Sequence, residues 1–130
     1  MTVIDSLNTT TPAASSIPAT REWTPACTVD SLVPGRGVAV LLRGGTQVAL
    51  FLLETGETYA VGNVDPFGRA AVMSRGLVGD RAGEATVASP LLKQVFSLVD
   101  GRCLDDESVG LGSFETRTDG GVIHVRGEST

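Results

Sequence analysis

Short apolar runs separated by glycine-rich turns fill the chain from residue 38 to residue 61. Residues 38–42 and residues 47–53 are rich in Val, Leu and Ala. The Gly44-Gly45 pair between them suits a two-residue hairpin turn, which requires positive φ angles. A second turn over residues 54–57 leads into residues 58–61, so the pattern predicts an antiparallel meander of three strands.

The second half of the chain predicts further hairpins. Asp100-Gly101 and Asp119-Gly120 are dipeptides typical of hairpin turns, and each is flanked by strand-like segments. These segments are residues 94–98, 102–104, 114–117 and 121–126. Residues 23–27 are expected to pair with one of these strands and so to close an edge of the sheet. The only predicted helix is short, around residues 31–33, and the elements together favour an all-β sandwich or partly open barrel.

The composition indicates one globular domain. The chain has 130 residues, 42% of them hydrophobic, which is enough for a single buried core. Its net charge of -5 argues against nucleic acid as the main partner, because phosphate binding depends on Lys and Arg. We expect a disordered N-terminal tail rich in Thr, Ser, Ala and Pro over residues 1–20, a domain over residues 21–127 and a C-terminal tail over residues 128–130.

The N-terminal segment does not match the signals that direct a protein to a membrane or an organelle. It lacks a basic region followed by an apolar core, and it is not rich in Arg. No stretch of the sequence approaches the roughly 20 apolar residues of a membrane-spanning helix. We therefore expect a cytoplasmic protein that does not bind a membrane.

The residues that most often carry chemistry stand alone in this sequence. His124 alternates with Ile123 and Val125 and has no partner for a metal site or a catalytic pair. Cys27 and Cys103 show no metal-ligand spacing and are expected to be reduced thiols. The sequence contains no nucleophile elbow, Walker motif or dinucleotide fingerprint. It therefore predicts no catalytic residue, cofactor-binding residue or metal ligand in this chain.

Two segments resemble the loops that hold the iron–sulfur cluster in Rieske proteins. In that family the segments follow the patterns N-x-C-P-H and C-P-L-H-x-x-x-F, and their two Cys and two His bind a [2Fe–2S] cluster. The corresponding segments here are Asn63-Val64-Asp65-Pro66-Phe67 and Ser89-Pro90-Leu91-Leu92-Lys93-Gln94-Val95-Phe96. The resemblance implies a Rieske-like antiparallel β-sandwich with two extended loops at the former cluster site.

The four positions that the resemblance assigns to cluster ligands carry Asp65, Phe67, Ser89 and Leu92. Phe and Leu have no lone pair to offer, and the hard oxygens of Asp and Ser suit such a cluster poorly. The chain is therefore interpreted as a Rieske-like domain that lacks the cluster. We expect Leu92 to fill the volume that the cluster would take, and Phe67 either to fill it or to face a partner. Asp65 and Ser89 are expected to close local turns.

The stretch from residue 72 to residue 98 carries a more specific resemblance, to the small subunit of assimilatory NAD(P)H-dependent nitrite reductase. The motifs that carry it are Ser74-Arg75-Gly76, Gly79-Asp80 and Ser89-Pro90-Leu91-x-Lys93-Gln94-x-Phe96, and the similarity extends from residue 23 to residue 126. The resemblance implies reduction of nitrite to ammonia, with flavin, an iron–sulfur cluster and sirohaem in a large subunit. It implies no cofactor in this chain, whose role would be to stabilise or assist the large subunit.

Four residues are expected to contact that large subunit. Arg75, Lys93 and Gln94 lie in the most specific stretch, and Phe67 lies on the first of the two loops. Two other interpretations remain open. The chain could be a Rieske-type ferredoxin that carries electrons, although the four missing ligands weigh against this, or a free-standing β-domain that binds another protein or a small ligand.

Overall fold

Eleven short strands and two 3₁₀ helices make up the part of the chain that the computed structural model describes, residues 23–128. The strands are β1 (Trp23–Thr28), β2 (Gly37–Leu41), β3 (Gln47–Leu52), β4 (Thr58–Gly62), β5 (Val64–Asp65), β6 (Ala70–Ala71), β7 (Leu77–Arg81), β8 (Glu84–Ala88), β9 (Val95–Ser97), β10 (Ser113–Asp119) and β11 (Val122–Glu128). The 3₁₀ helices are Val29–Ser31 and Met73–Arg75. The all-β class predicted from the sequence is confirmed.

Two of the predicted boundaries concern the ends of the chain. The tail predicted over residues 1–20 lies outside the described residues, as do residues 129 and 130. Strand β11 continues to Glu128, one residue into the predicted C-terminal tail. Among residues 23–128, neither helix is long and apolar enough to cross a membrane.

The larger sheet has six antiparallel strands in the order β1-β11-β10-β4-β3-β2. Strand β1 pairs with β11, with Trp23 opposite Arg126, so the predicted pairing of residues 23–27 is confirmed. The two ends of this order approach each other, because the backbone N–H of Arg43, just beyond β2, donates a hydrogen bond to Thr24 Oγ1 on β1 at 3.1 Å. The sheet is therefore a nearly closed barrel.

The hairpins of this sheet follow the sequence pattern closely. Strands β2, β3 and β4 form the predicted meander, and Gly44 and Gly45 both have φ of 98°. The last hairpin turns at Gly120-Gly121, with φ of 62° and 83°, one residue later than the predicted Asp119-Gly120. The shift follows from the turn geometry, since both turn residues need positive φ and a second glycine meets that need better than Asp.

The smaller sheet contains β7, β8 and β9, in that order. The return of residues 102–104 alongside β9 is confirmed by the hydrogen bond from Ser97 N to Arg102 O, 2.9 Å. The β7–β8 hairpin is not predicted by the sequence pattern, because β7 is mostly exposed and has no alternating apolar side chains. The first 3₁₀ helix begins at Val29, two residues before the predicted segment.

Strand β3 separates two apolar clusters and contributes to both. Val48, Leu50 and Leu52 belong to the cluster inside the larger sheet, whereas Ala49 and Phe51 belong to the cluster between the larger sheet and the smaller one. Burial on both faces accounts for the uninterrupted apolar run in this segment. Cys27 packs against the first cluster and Cys103 lies in the second, and both are free thiols.

Candidate functional site

The two loops that resemble cluster-binding segments lie against each other. The first loop (residues 63–69) connects β4 to β6 and contains β5, and the second loop (residues 89–94) connects β8 to β9. The Ser89 hydroxyl donates a hydrogen bond to Asp65 Oδ2, and both side chains are buried. This hydrogen bond joins the bases of the two loops. Asp65 and Ser89 are 24 positions apart in the sequence.

The Asp65 carboxylate also shapes the first loop. Its Oδ1 accepts hydrogen bonds from the backbone N–H groups of Phe67, at 2.8 Å, and Gly68, at 3.2 Å. Its backbone oxygen accepts a third bond from the N–H of Arg69, at 2.7 Å, and Arg69 lies in the left-handed region with φ of 57°. The turn-closing role expected for Asp65 is confirmed, and the bond to Ser89 adds a contact that local sequence patterns do not predict.

The second loop is closed in a similar way around Ser89. Its backbone oxygen accepts a hydrogen bond from Lys93 N at 3.1 Å, and its N–H donates to Gln94 O at 2.9 Å. The Ser89 hydroxyl oxygen accepts a bond from the N–H of Leu91 at 3.2 Å, so the turn-closing role expected for Ser89 is also confirmed. Lys93 adopts φ of 65°, which reverses the chain at the end of the loop.

The hydrogen bonds around Asp65 set its protonation state. Burial alone would raise the pKa of this carboxyl, because a charge is less well solvated inside a protein. The hydrogen bonds donated by Ser89, Phe67 and Gly68 stabilise the charged form more strongly, and the pKa of Asp65 is lowered from its ordinary value. Asp65 is therefore a carboxylate at neutral pH, and Ser89 donates to a negative charge.

The residues at the two loops do not fit a [2Fe–2S] cluster. Such a cluster is bound by thiolate and imidazole groups, and the two loops contain neither Cys nor His. The buried oxygens of Asp65 and Ser89 already bond to each other and to backbone amides. Among residues 23–128, no group of three or more His, Cys, Asp or Glu side chains is arranged to hold a metal ion.

Phe67 and Leu92 have opposite surroundings. The Phe67 ring is half-buried and packs on Phe96 of the second apolar cluster, with ring centroids 6.3 Å apart. Leu92 is 55% exposed, so the expectation that it fills the interior is wrong. Because Lys93 reverses the chain immediately after it, the loop closes through its backbone and leaves the Leu92 side chain on the outside.

The four residues expected at a partner interface lie at different depths. Lys93 is exposed on the second loop, and Arg75 is exposed at the end of the 3₁₀ helix Met73–Arg75. Gln94 is half-buried, and its Oε1 atom is shielded from solvent and accepts no hydrogen bond from residues 23–128. Phe67 presents only part of its ring to solvent. Of these four residues, Lys93 and Arg75 are the most accessible to a partner.

Asn63 has a supporting role that the sequence interpretation missed. Its buried side chain accepts a hydrogen bond from Ser74 N at 2.8 Å through Oδ1 and donates to Gln47 Oε1 at 3.2 Å through Nδ2. Its backbone oxygen accepts from Met73 N at 3.0 Å. Asn63 thus attaches the 3₁₀ helix to the start of the first loop. Its place as the first residue of the loop motif is the signal that could have indicated this role.

The basic side chains fall into two groups. Arg81, Arg102 and Arg126 form ion pairs with carboxylates, and Arg117 lies over the ring of Trp23 at 4.5 Å. Among residues 23–128, four basic side chains form no ion pair, no hydrogen bond and no contact with an aromatic ring: Arg36, Arg69, Arg75 and Lys93. All but Arg36 lie in or just after the two loops, so unpaired positive charge concentrates there in a chain of net charge -5.

Comparison with protein families and solved structures adds to this picture. The family model for the Rieske-like [2Fe-2S] domain matches residues 22–126. A protein from Mycobacterium tuberculosis, described as an NADH-dependent nitrite reductase small subunit, has a crystal structure with 56% sequence identity and a TM-score of 0.81. The alignment covers 84% of this chain and 97% of that chain.

Two curated proteins extend the comparison. The nitrite reductase (NADH) small subunit of Salmonella typhimurium is 43% identical over 107 residues, which are 82% of this chain and 98% of that protein. A nitrite reductase [NAD(P)H] large subunit of Klebsiella oxytoca is 36% identical over 115 residues, which are 87% of this chain and 12% of that protein. The similar region therefore occurs both as a separate chain and as part of a longer one.

Proposed function

Because this chain belongs to the Rieske-like domain family and, within it, to the nitrite reductase small subunits, we propose that it assists a large subunit in reducing nitrite to ammonia and carries no cofactor itself. The large subunit would hold the flavin, the iron–sulfur cluster and the sirohaem, and the complex would act in the cytoplasm in nitrate assimilation. The observation that carries the proposal is the buried hydrogen bond between Ser89 and Asp65, at two positions that the resemblance assigns to cluster ligands.

The hydrogen bond between the loops gives this chain a way to keep its shape without a metal. In metal-bound domains, the ligand bonds often hold together loops that would otherwise separate. Here a charge-assisted hydrogen bond joins the loop bases, and such bonds are stronger than those between neutral groups. The loops can therefore present a defined surface although this chain takes no part in electron transfer.

The exposed side of the second loop supports contact with another protein. Leu91 and Leu92 are 46% and 55% exposed, and they adjoin Lys93. Arg69 extends from the first loop, and Leu91 Cδ1 lies 2.7 Å from the position of a Cβ added at Gly68. An apolar centre with basic residues at its rim is typical of a protein–protein interface. The partner surface that fits it is apolar at its centre and acidic at its edge.

The Klebsiella oxytoca relative supports a large subunit as this partner. In that protein, a region similar to this chain is part of a chain named as the large subunit. A covalent link keeps two binding surfaces at a high local concentration, which benefits domains that work in contact. We propose that the same contact forms here between separate chains.

The first experiment is to purify the chain, measure its iron content and visible absorption, and test its co-elution with the candidate large subunit. The proposal predicts no iron in the small subunit and stable co-elution of the two chains. Bound [2Fe–2S] would instead indicate an electron-carrying ferredoxin. A metal-free chain that does not associate with the large subunit would indicate a free-standing β-domain.

A second experiment tests the two exposed basic residues that are expected at the interface. Reversing the charges in Arg75→Glu together with Lys93→Glu should weaken the complex about tenfold, because acidic groups on the partner would then face like charges. Arg117→Glu is a control for a single reversal, since Arg117 is an exposed cation on β10 of the larger sheet and lies in neither loop. Unchanged co-purification of the double variant would contradict the proposed interface.

A further inference from the structure

A groove of about 380 Å³ opens between the larger sheet and the smaller one, beside the two loops. Residues 35–37 form one wall, at the start of β2, and residues 74–77 form the other, at the start of β7. Leu77 pairs with Ala88, the residue directly before Ser89, so the groove adjoins the base of the second loop. It is nevertheless separate from the exposed tip formed by Leu91, Leu92 and Lys93.

Tight packing behind the groove fixes the positions of its walls. A Cβ atom added at Gly37 would lie 2.5 Å from Phe51 Cε2 and 2.7 Å from Ser74 O. One added at Gly76 would lie 2.5 Å from Val87 Cγ2. The two glycines therefore let both walls pack closely on the second apolar cluster, and the groove is formed before any partner binds.

Positive charge dominates the groove. Arg36 and Arg75 project from opposite walls, and no Asp or Glu is among the lining residues. Within residues 23–128 neither guanidinium has a carboxylate partner, whereas Arg81, Arg102 and Arg126 each have at least one. The Ser74 hydroxyl adds a donor that forms no hydrogen bond within the same residues. These groups offer hydrogen bonds and charge to carboxylates.

The groove also has two features that an extended peptide can bind, an exposed apolar side chain and a free strand edge. Leu77 is 78% exposed, the largest exposure among the exposed large apolar residues of the described chain. It begins β7, an edge strand that pairs with β8 on one side and with no strand of residues 23–128 on the other. A free strand edge presents unpaired N–H and C=O groups, which can pair with an added strand.

We propose that this groove binds an extended acidic segment of the large subunit, with its carboxylates on Arg36 and Arg75 and an apolar side chain on Leu77. The proposal rests on the proposed function, because it names the partner's chemistry at a second contact beside the loop tip. Charge complementarity selects this occupant, since the chain carries a net charge of -5 and yet leaves these two cations unpaired. The segment would run along β7 and add a strand to the smaller sheet.

The test uses amide hydrogen exchange of the full chain, alone and in complex with the large subunit. The complex should slow exchange in residues 35–37 and along β7, while the Gly120-Gly121 turn at the far hairpin remains unchanged. Arg36→Glu should weaken the complex about tenfold, because Arg36 lies in the groove and not on the loop tip. Arg36→Lys should retain most of the affinity, and the control Arg117→Glu, an exposed residue on β10 that does not line the groove, should change it about twofold at most.

The outcomes separate this proposal from the proposed function. If the wild-type chain does not co-elute with the large subunit, the proposed function fails together with the groove. If the complex forms but the groove residues exchange as fast as before, or Arg36→Glu binds like the wild type, the groove proposal alone is wrong. Slowed exchange in the isolated chain at high concentration would assign the groove to a second copy, and slowed exchange with inorganic phosphate would assign it to a small anion; either result would overturn the proposal.

Discussion

The first and second loops both place a buried polar side chain at their base, but their remaining side chains meet different surroundings. Asp65 and Ser89 bond to each other in the interior, and each also bonds to amides of its own loop. Beyond them, Phe67 packs inward on Phe96 while Leu92 is exposed. The bases of the loops therefore lie in the interior and hold the two loops together, whereas the second loop leaves Leu91 and Leu92 exposed to solvent.

The largest expected effect concerns the shared base of the loops. Asp65→Ala should lower the free energy of unfolding by about 3 kcal/mol, because the Ser89 hydroxyl and the amides of Phe67 and Gly68 would lose their buried acceptor. Urea denaturation at pH 7, followed by circular dichroism, measures this change. The control is Asp80→Ala, since Asp80 Oδ2 accepts one exposed bond from Gly83 N at 3.0 Å and should contribute only about 0.5 kcal/mol. Equal effects of the two substitutions would show that the loop base has no special role.

The next largest effects are the changes in stability when one apolar side chain is removed from each loop. Phe67→Ala should cost about 2 kcal/mol of stability, less than a fully buried Phe, because part of the ring is already exposed to solvent. Leu92→Ala should change stability by less than about 0.5 kcal/mol but should weaken association with the large subunit. Thermal denaturation and co-elution of both variants test the pair. Strong destabilisation by Leu92→Ala would mean that the second loop, like the first, is part of the interior.

Low pH should reduce the contribution of the Asp65 carboxylate to the free energy of unfolding. A carboxyl whose pKa is lower in the folded than in the unfolded state stabilises the fold fully above the unfolded pKa, near 3.9 for Asp. That stability is lost as the pH falls through the folded pKa, and the pKa of Asp65 is lowered on folding. The stability difference between the wild type and Asp65→Asn should therefore shrink between about pH 5 and pH 2. A difference that stays constant over this range would contradict the assigned role of the Asp65 charge.

The smallest effect is expected where the loops touch near their tips. A Cβ atom added at Gly68 would lie 2.7 Å from Leu91 Cδ1, the end of a flexible side chain that is 46% exposed and can move away. Gly68→Ala should therefore change stability by less than about 0.5 kcal/mol. Gly62→Ala is the informative contrast in the same melting experiment, because its Cβ would collide with the backbone oxygen of Leu111, which cannot move as freely. If both variants melted alike, the Leu91 side chain would be held as firmly as the Leu111 backbone.

Local sequence patterns predicted the elements that depend on local chemistry. The glycine pair at residues 44–45 and the apolar run of β3 determine a hairpin and a buried strand by themselves. The β7–β8 hairpin was missed because its first strand is exposed and its stability comes from pairing with β8. The same limit applies at the candidate site. The turn bonds of Asp65 and Ser89 follow from side-chain type, but the bond between them depends on how the two sheets pack.

The direction of the Leu92 side chain could not be predicted for a related reason. Its apolar character favours burial, and the sequence does not show that Lys93 takes a left-handed conformation and leaves Leu92 outside. The unpaired state of Arg36 and Arg75 likewise depends on the distance to carboxylates elsewhere in the fold. Residue type indicates what a side chain can do, while the packing of the two sheets decides which neighbours it meets.

The pairing of β1 with β11 places the first and last described strands side by side. A domain with adjacent ends can be spliced into a longer polypeptide without breaking its sheet, since both junctions leave from one place. Gene fusion would then change how often this domain meets its partner, without changing the surface through which they meet. The separate chain and the domain within a longer protein would thus form the same assembly through the same surface.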